Sequence, residues 1–168
     1  MREGVKRGDE NTVQATINAL MEKHNSTTGA EKRRIIAAVG QAQHPGILQR
    51  VLNFSLDGTV RKQDSYASFA AVARNKMHCK LCWSYLKENL LKLQESLKGS
   101  FNMMGYFVEA GGAVLDEDEE YADFKDFFGK PENNLKGVNR SILIAEQDIL
   151  SNISKKKYMT KYLKEFFH

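Results

Sequence analysis

The sequence predicts an all-α fold, a right-handed α-solenoid of stacked antiparallel helix pairs of the HEAT or armadillo kind. Three observations point there. No segment alternates apolar and polar residues with period two for long enough to make a sheet. Apolar residues instead recur at helical spacing, in stretches separated by Gly, Pro and polar loops. Helix pairs follow one another at roughly 30–40-residue intervals, the range of helical repeats.

Taken in order, Arg2 to Arg7 is a charged lead-in ending at Gly8. Asp9 suits the N-cap of a helix running to about Lys23, with Val13, Ile17, Leu20 and Met21 on one face. After the polar loop from His24 to Gly29, Thr28 and Glu31 form a capping-box pattern ahead of Ile35, Ile36 and Val39, and Gly40 fits a helix stop. Pro45 suits the first position of the next helix, where its missing N–H costs nothing. Ile47, Leu48, Val51, Leu52 and Leu56 form that helix's expected buried stripe, closed by Asp57-Gly58.

Residues 63–89 read as one helix, a break at Arg74-Asn75-Lys76, and a second helix carrying the only Trp of the chain. Phe69, Val72 and Ala73 share a face of the first, and Leu81, Trp83, Tyr85 and Leu86 run along the second. Such a pair cannot bury its seam alone and needs stacked neighbours. Leu90 to Leu97 continues as helix until Lys98-Gly99-Ser100. Asn102 to Val114 is apolar and helical in spacing, and its Gly105, Gly111 and Gly112 would let another helix approach closely. Asp116 with Glu119 is expected to open a helix ending near Phe127-Phe128-Gly129, before Pro131. Val138 to Ile153 follows, with Ile142, Leu143, Ile149, Leu150 and Ile153 as its core face. Lys155 to Phe167 closes the chain as an amphipathic segment bearing Tyr158, Met159, Tyr162, Leu163, Phe166 and Phe167.

The bulk composition narrows the function classes. The 168 residues make one domain, or one piece of a larger protein, and 42% hydrophobic content suffices for a packed core. Twenty-five basic against 21 acidic residues leave a net charge of +4, too mild to demand nucleic acid. No apolar run approaches the ~18 residues of a membrane span, and the N-terminus lacks the apolar core of a secretion signal. Two cysteines give no disulfide framework, so a cytoplasmic setting is the default expectation.

His78-Cys79-x-x-Cys82 is the most tempting metal motif, but a structural zinc site takes four ligands and no second pair lies nearby. Two cysteines along one helix face read better as small core residues. The acidic run Asp116 to Glu120 lacks the spacing and glycine of a calcium loop and suits a helix's first turn instead. Lys32-Arg33-Arg34 and Lys155-Lys156-Lys157 each share a helix with an apolar stripe and read as solvated faces. There is no H-E-x-x-H, no G-x-S-x-G and no phosphate-cradling glycine loop, so neither a catalytic nor a metal-ligating set is expected in this chain.

A resemblance adds to this reading. Gly40 with Ile47 to Leu56, then Val60 to Asp64, Val72-Ala73-Arg74-Asn75 and Cys82 to Asn89, resemble the C-terminal helical domain of gluzincin-class zinc aminopeptidases. Gly99-Ser100-Phe101, Phe127-Phe128 before a proline, and Ile149-x-x-Asn152 fit as well, in the right order along nearly the whole chain. The puromycin-sensitive enzymes resemble it most, with the endoplasmic-reticulum and oxytocinase types next. Two positions depart from the pattern: Leu90 and Lys155 stand where relatives usually or often carry Trp.

The resemblance implies that residues 1–168 are a single helical-repeat domain, a C-terminal fragment of a larger enzyme. The zinc of that parent and its H-E-x-x-H and G-x-M-E-N motifs would lie in an upstream catalytic domain, leaving this chain without a cofactor or an enzymatic role of its own. Its partners would be that catalytic domain and the peptide substrate, with no nucleic acid and no membrane. Its function would be to enclose the peptide chamber and govern open and closed forms. The alternative is an independent helical-repeat module that binds a partner protein. Arg74, in the motif shared with the family, is the candidate substrate contact, although it can equally cap the carbonyls of the preceding helix. A truncated solenoid would also expose Val13, Ile17 and Met21 and self-associate through its N-terminal end.

Overall fold

The structure is a computed structural model and describes residues 10–27, 29–100 and 102–167. Among these residues there are eight α-helices and no strand. In chain order they are α1 (Glu10–Ser26), α2 (Gly29–Val39), α3 (Pro45–Asn53), α4 (Ser65–Ala73), α5 (Leu81–Ser96), α6 (Met103–Gly112), α7 (Asp118–Gly129) and α8 (Asn139–Phe167). Short 3-10 turns at Lys62–Asp64 and Pro131–Asn133 lead into α4 and follow α7. The expected all-α class therefore holds. The chain divides into two compact units, residues 1–100 and 101–168.

In the first unit α1 packs on α2, α2 on α4, α3 on both α4 and α5, and α4 on α5. The pattern of burial follows from sequence spacing. Pro45 stands at the start of α3, and Ile47, Leu48, Val51 and Leu52 recur there at one-turn intervals and are buried together. Each such side chain contributes on the order of 1.5–3 kcal/mol. The helix ends at Asn53; the Ser55 hydroxyl donates to the Leu52 carbonyl at 2.6 Å, and Gly58 takes a φ of +81°, which an L side chain rarely adopts. The α4 sequence SYASFAAVA is buried on nearly every side, from Ser65 through Ser68 to Val72. Its alanines let neighbours close in. A Cβ on Gly40 would lie 2.5 Å from the Ala71 Cβ and 2.7 Å from the Ala71 carbonyl carbon. On α5, Cys82, Trp83, Tyr85, Leu86, Leu90 and Leu93 face the core, and the Tyr85 ring lies 6.5 Å from that of Phe69.

In the second unit α6 and α7 both pack on α8. The glycines of α6 make the close approach expected of them. A Cβ on Gly112 would lie 2.6 Å from the Ala145 Cβ, and one on Gly105 2.5 Å from the Ser141 hydroxyl. Ser141 donates across the seam to the Glu109 carboxylate at 2.6 Å. From α7 only Phe124 is buried, and its ring meets that of Phe128 at a tilt of 58° with centroids 4.9 Å apart.

Several expectations need correction. Leu56 lies beyond α3 in the following turn and is half-buried, because from Phe54 the backbone N–H groups bond three residues back, Phe54 to Val51, Ser55 to Leu52 and Leu56 to Asn53. The acidic cap sits one residue later than expected. Glu117 and Glu120 form the capping box of α7, while the Asp116 N–H donates to the Glu120 carboxylate at 2.9 Å. Cys79 precedes α5 in a turn and so does not share a helix face with Cys82. Val138–Ile153 and Lys155–Phe167 are not two elements, since α8 runs unbroken for 29 residues. Between Ile153 and Tyr158 there is no Gly or Pro to stop it, and lysine is a good helix former.

On α8 the buried residues Ala145, Ile149 and Ile153 are spaced by four, which leaves Leu143 (60% exposed) and Leu150 (47%) off the packed arc. Of the residues expected in an exposed N-terminal apolar patch, Ile17 does not belong there. Ile17 is buried in the α1–α2 seam and Met21 is half-buried, whereas the exposed aromatic stripe is on α8, at Tyr158, Tyr162 and Phe166. Asp9, Thr28 and the side chains of Val13 and Phe167 lie outside the described residues.

Candidate functional site

The corner between α4 and α5 carries Arg74, the one side chain singled out as a substrate contact. α4 ends as Arg74 takes φ −85° and ψ 0°: its own N–H still makes the helical bond to the Ala70 carbonyl at 3.2 Å, but the next, from Asn75, tightens to the Val72 carbonyl at 2.8 Å. The guanidinium is exposed at the negative end of the helix dipole. A planar fork there can meet a carboxylate through two parallel N–H donors.

Asn75 holds the corner in place. It is only 4% exposed, yet all of its polar valence is used. Its Nδ2 donates to the Gly40 carbonyl at 3.0 Å and to the Ala42 carbonyl at 2.8 Å. Its Oδ1 accepts the N–H groups of Met77 at 3.0 Å and His78 at 3.1 Å. His78 Nε2 meets the Gln43 carbonyl at 3.0 Å. One amide thus satisfies the carbonyls left open after α2 and the N–H groups of the turn entering α5. The second unit repeats the device. Asn152 on α8 donates to the Ala113 carbonyl at 3.0 Å and the Leu115 carbonyl at 3.2 Å, just past α6. Sequence reasoning passed over this role of both asparagines. The available signal was an Asn beside apolar residues that helical spacing sends to the core, Val72 before Asn75 and Ile149 and Ile153 about Asn152, where its amide would have to find partners.

The cysteines do not fit a metal ion. Cys82 is fully buried, its thiol contacts the Phe69 carbonyl at 3.6 Å, and burial pushes its pKa well above the usual thiol range, with Cys79 adding to the shift. A zinc ligand must be a thiolate, which this environment opposes. Among the described residues no group of three or more His, Cys, Asp or Glu side chains converges as a metal site would require. The acidic and basic runs, which sequence reasoning treated separately, meet each other. Lys156 bridges Asp116 (3.1 Å) and Glu117, and Lys157 pairs with Asp118 at 2.7 Å. The hydrogen bonds to Glu117 and Asp116 raise the pKa of Lys156. No helix of the described residues is long and apolar enough to cross a membrane.

Comparison with known proteins comes to the same place as the motifs. A family model described as the ERAP1-like C-terminal domain matches residues 1–151. The endoplasmic reticulum aminopeptidase 2 of Bos taurus is 30% identical over 150 residues, 87% of this chain and 15% of that protein. The mitochondrial aminopeptidase 2 of Saccharomyces cerevisiae is 26% identical over 139 residues, covering 80% of this chain and 14% of that one. Aminopeptidase M1-C of Oryza sativa subsp. japonica is 28% identical over 139 residues, or 79% of this chain and 16% of that protein. The chain therefore spans only 14% to 16% of the length of these relatives.

Proposed function

Because the chain belongs to the ERAP1-like C-terminal domain family, we propose that it is the non-catalytic C-terminal domain of a zinc aminopeptidase. In this reading residues 1–168 are one helical-repeat domain whose pairs continue a solenoid. It encloses the peptide chamber of an upstream catalytic domain and governs its opening and closing. The observation that carries the proposal is the family match over residues 1–151, joined to relatives that are all named aminopeptidases and are far longer. In unit 1, contacts between next-but-one helices, α2 with α4 and α3 with α5, support the stacked arrangement.

Zinc would act in the parent as a Lewis acid on the scissile carbonyl. This chain's residues do not fit that metal, and no step is assigned to them. What they supply is shape and, at Arg74, a cation for a peptide carboxylate or acidic side chain. The placement nearest the puromycin-sensitive enzymes belongs to the same proposal. So does a cytoplasmic setting, which suits Cys79 and Cys82, since no disulfide joins them.

The test is Arg74→Ala in the full-length parent enzyme. A KM raised several-fold for long peptides, with dipeptide substrates untouched, supports the chamber role. Lost stability with unchanged kinetics for both substrate lengths eliminates it. The 168-residue chain alone is expected to turn over no aminoacyl-coumarin, with or without added zinc. Bestatin-sensitive turnover that survives repurification would overturn its non-catalytic assignment.

A further inference from the structure

The basic run Lys32-Arg33-Arg34 finds only part of its use in ion pairing. Arg34 lies 3.9 Å from Glu31, on the solvent side of α2. Lys32 and Arg33 instead line a pocket of about 120 Å³ within the first unit. At ~30 Å³ per water this is room for about four waters, or for one tetrahedral oxyanion. Four parts of the chain build it: His24 near the end of α1, Lys32, Arg33 and Ile36 on α2, the turn from Gly58 to Arg61, and Asp64 just before α4 with Ala67 in its first turn. Ile36 and Val60 are buried and give the pocket an apolar floor, and His24, only 4% exposed, adds an imidazole to its wall.

The geometry points to a binding site for a phosphoryl dianion. Three cations and one carboxylate line a space too small for a polymer, which leaves an excess of two positive charges, His24 set aside. The single carboxylate is already engaged. Asp64 accepts from Arg61 Nε at 3.0 Å and Arg61 Nη2 at 2.9 Å, so it fixes the guanidinium in place. The turn is fixed too, since the Asp57 carboxylate accepts the Thr59 N–H at 2.8 Å and Gly58 supplies the positive φ. Arg61, held by that turn and by Asp64, loses little freedom when an anion arrives, and a phosphate group is mostly dianionic at neutral pH. The inference is independent of the aminopeptidase reading, because it uses only residues of this pocket.

The experiment titrates the 168-residue protein with inorganic phosphate and, separately, O-phosphoserine, against sodium chloride of matched ionic strength. Melting temperature and the His24 imidazole resonances are both followed. A saturable rise in melting temperature, with His24 resonances shifting over the same concentrations, is expected. Lys32→Gln with Arg61→Gln should weaken binding at least about tenfold, the loss of two charge-assisted contacts. Lys136→Gln, an exposed lysine of the second unit, should leave it unchanged. Tighter binding of O-phosphoserine assigns the ligand to a phosphorylated molecule, and tighter binding of inorganic phosphate assigns it to the free ion. The proposal is overturned if no saturable response occurs with either, or if the folded double variant responds like the wild type. Should the double variant fail to fold, the His24 resonances of the wild type decide alone.

Discussion

At the scale of single residues, two buried polar side chains of the first unit should respond in opposite ways to the same change. Asn75 makes four hydrogen bonds to backbone groups, and deleting its amide leaves two carbonyls and two N–H groups without that partner. Asn75→Ala is expected to cost about 2–4 kcal/mol, and Asn75→Asp no less, since a carboxylate cannot donate to the Gly40 and Ala42 carbonyls. Ser68, fully buried on α4, has a hydroxyl with no hydrogen-bond partner among the described residues. Ser68→Ala removes a desolvated group without opening a cavity, so it should gain up to about 1 kcal/mol. Urea denaturation followed by the single Trp, Trp83, reads both, because that residue is buried in the same unit. An Asn75→Ala protein as stable as wild type would show that water replaces the amide.

At the scale of elements, the α6–α8 seam depends on the absence of a methyl group. A Cβ on Gly112 would be 2.6 Å from the Ala145 Cβ and 3.3 Å from the Phe124 ring, so neither neighbour can yield without moving a helix. Gly112→Ala is expected to destabilise the second unit by about 1–3 kcal/mol. Gly129, at the end of α7, has nothing within 4 Å of a built Cβ, so Gly129→Ala should be neutral or gain up to ~1 kcal/mol. Far-UV circular dichroism of the two variants should rank them in that order. If both prove neutral, the seam is looser than its geometry states. The use of these glycines was legible in sequence, because three in one apolar helix weaken that helix unless a neighbour packs closely against them. Pro45 and the α3 stripe were legible in the same way, as local chemistry fixes a local outcome. The exposure of Leu143 and Leu150 was not. Periodicity says which residues share a face, but with Ile and Leu on several faces of α8 only the neighbours decide which face is covered. The anion pocket was illegible because His24, Lys32 and Arg61 come together only through the packing of α1, α2 and the turn before α4.

At the scale of the whole molecule, alkaline pH should act first on the first unit. Burial raises the pKa of Cys82, with Cys79 adding to it. Burial also raises that of Tyr85, with Asp57 adding to the rise and the Ser55 hydrogen bond opposing it. Both are acids whose neutral form the fold prefers, and both sit on α5. In the unfolded chain they ionise near their ordinary values, about 8.5 for Cys and about 10 for Tyr. The unfolded state then binds fewer protons than the native one, so stability falls as pH rises. The contribution is fully present below about pH 8.5 and is lost progressively above it. In the second unit Lys156 also has a raised pKa, but its loss begins only near the ordinary lysine value of about 10.4, and the exposed pair is weak and screened by salt. Trp83 reports on the first unit alone, since the second contains no Trp. The urea midpoint read by Trp83 fluorescence should therefore hold steady from pH 7 to about 8.5 and fall between about 9 and 10.5. Cys82→Ala should remove the early part of that fall and leave the part that begins near pH 10. A midpoint flat to pH 10.5 in the wild type would mean that the Cys82 thiol opens to solvent in the native state.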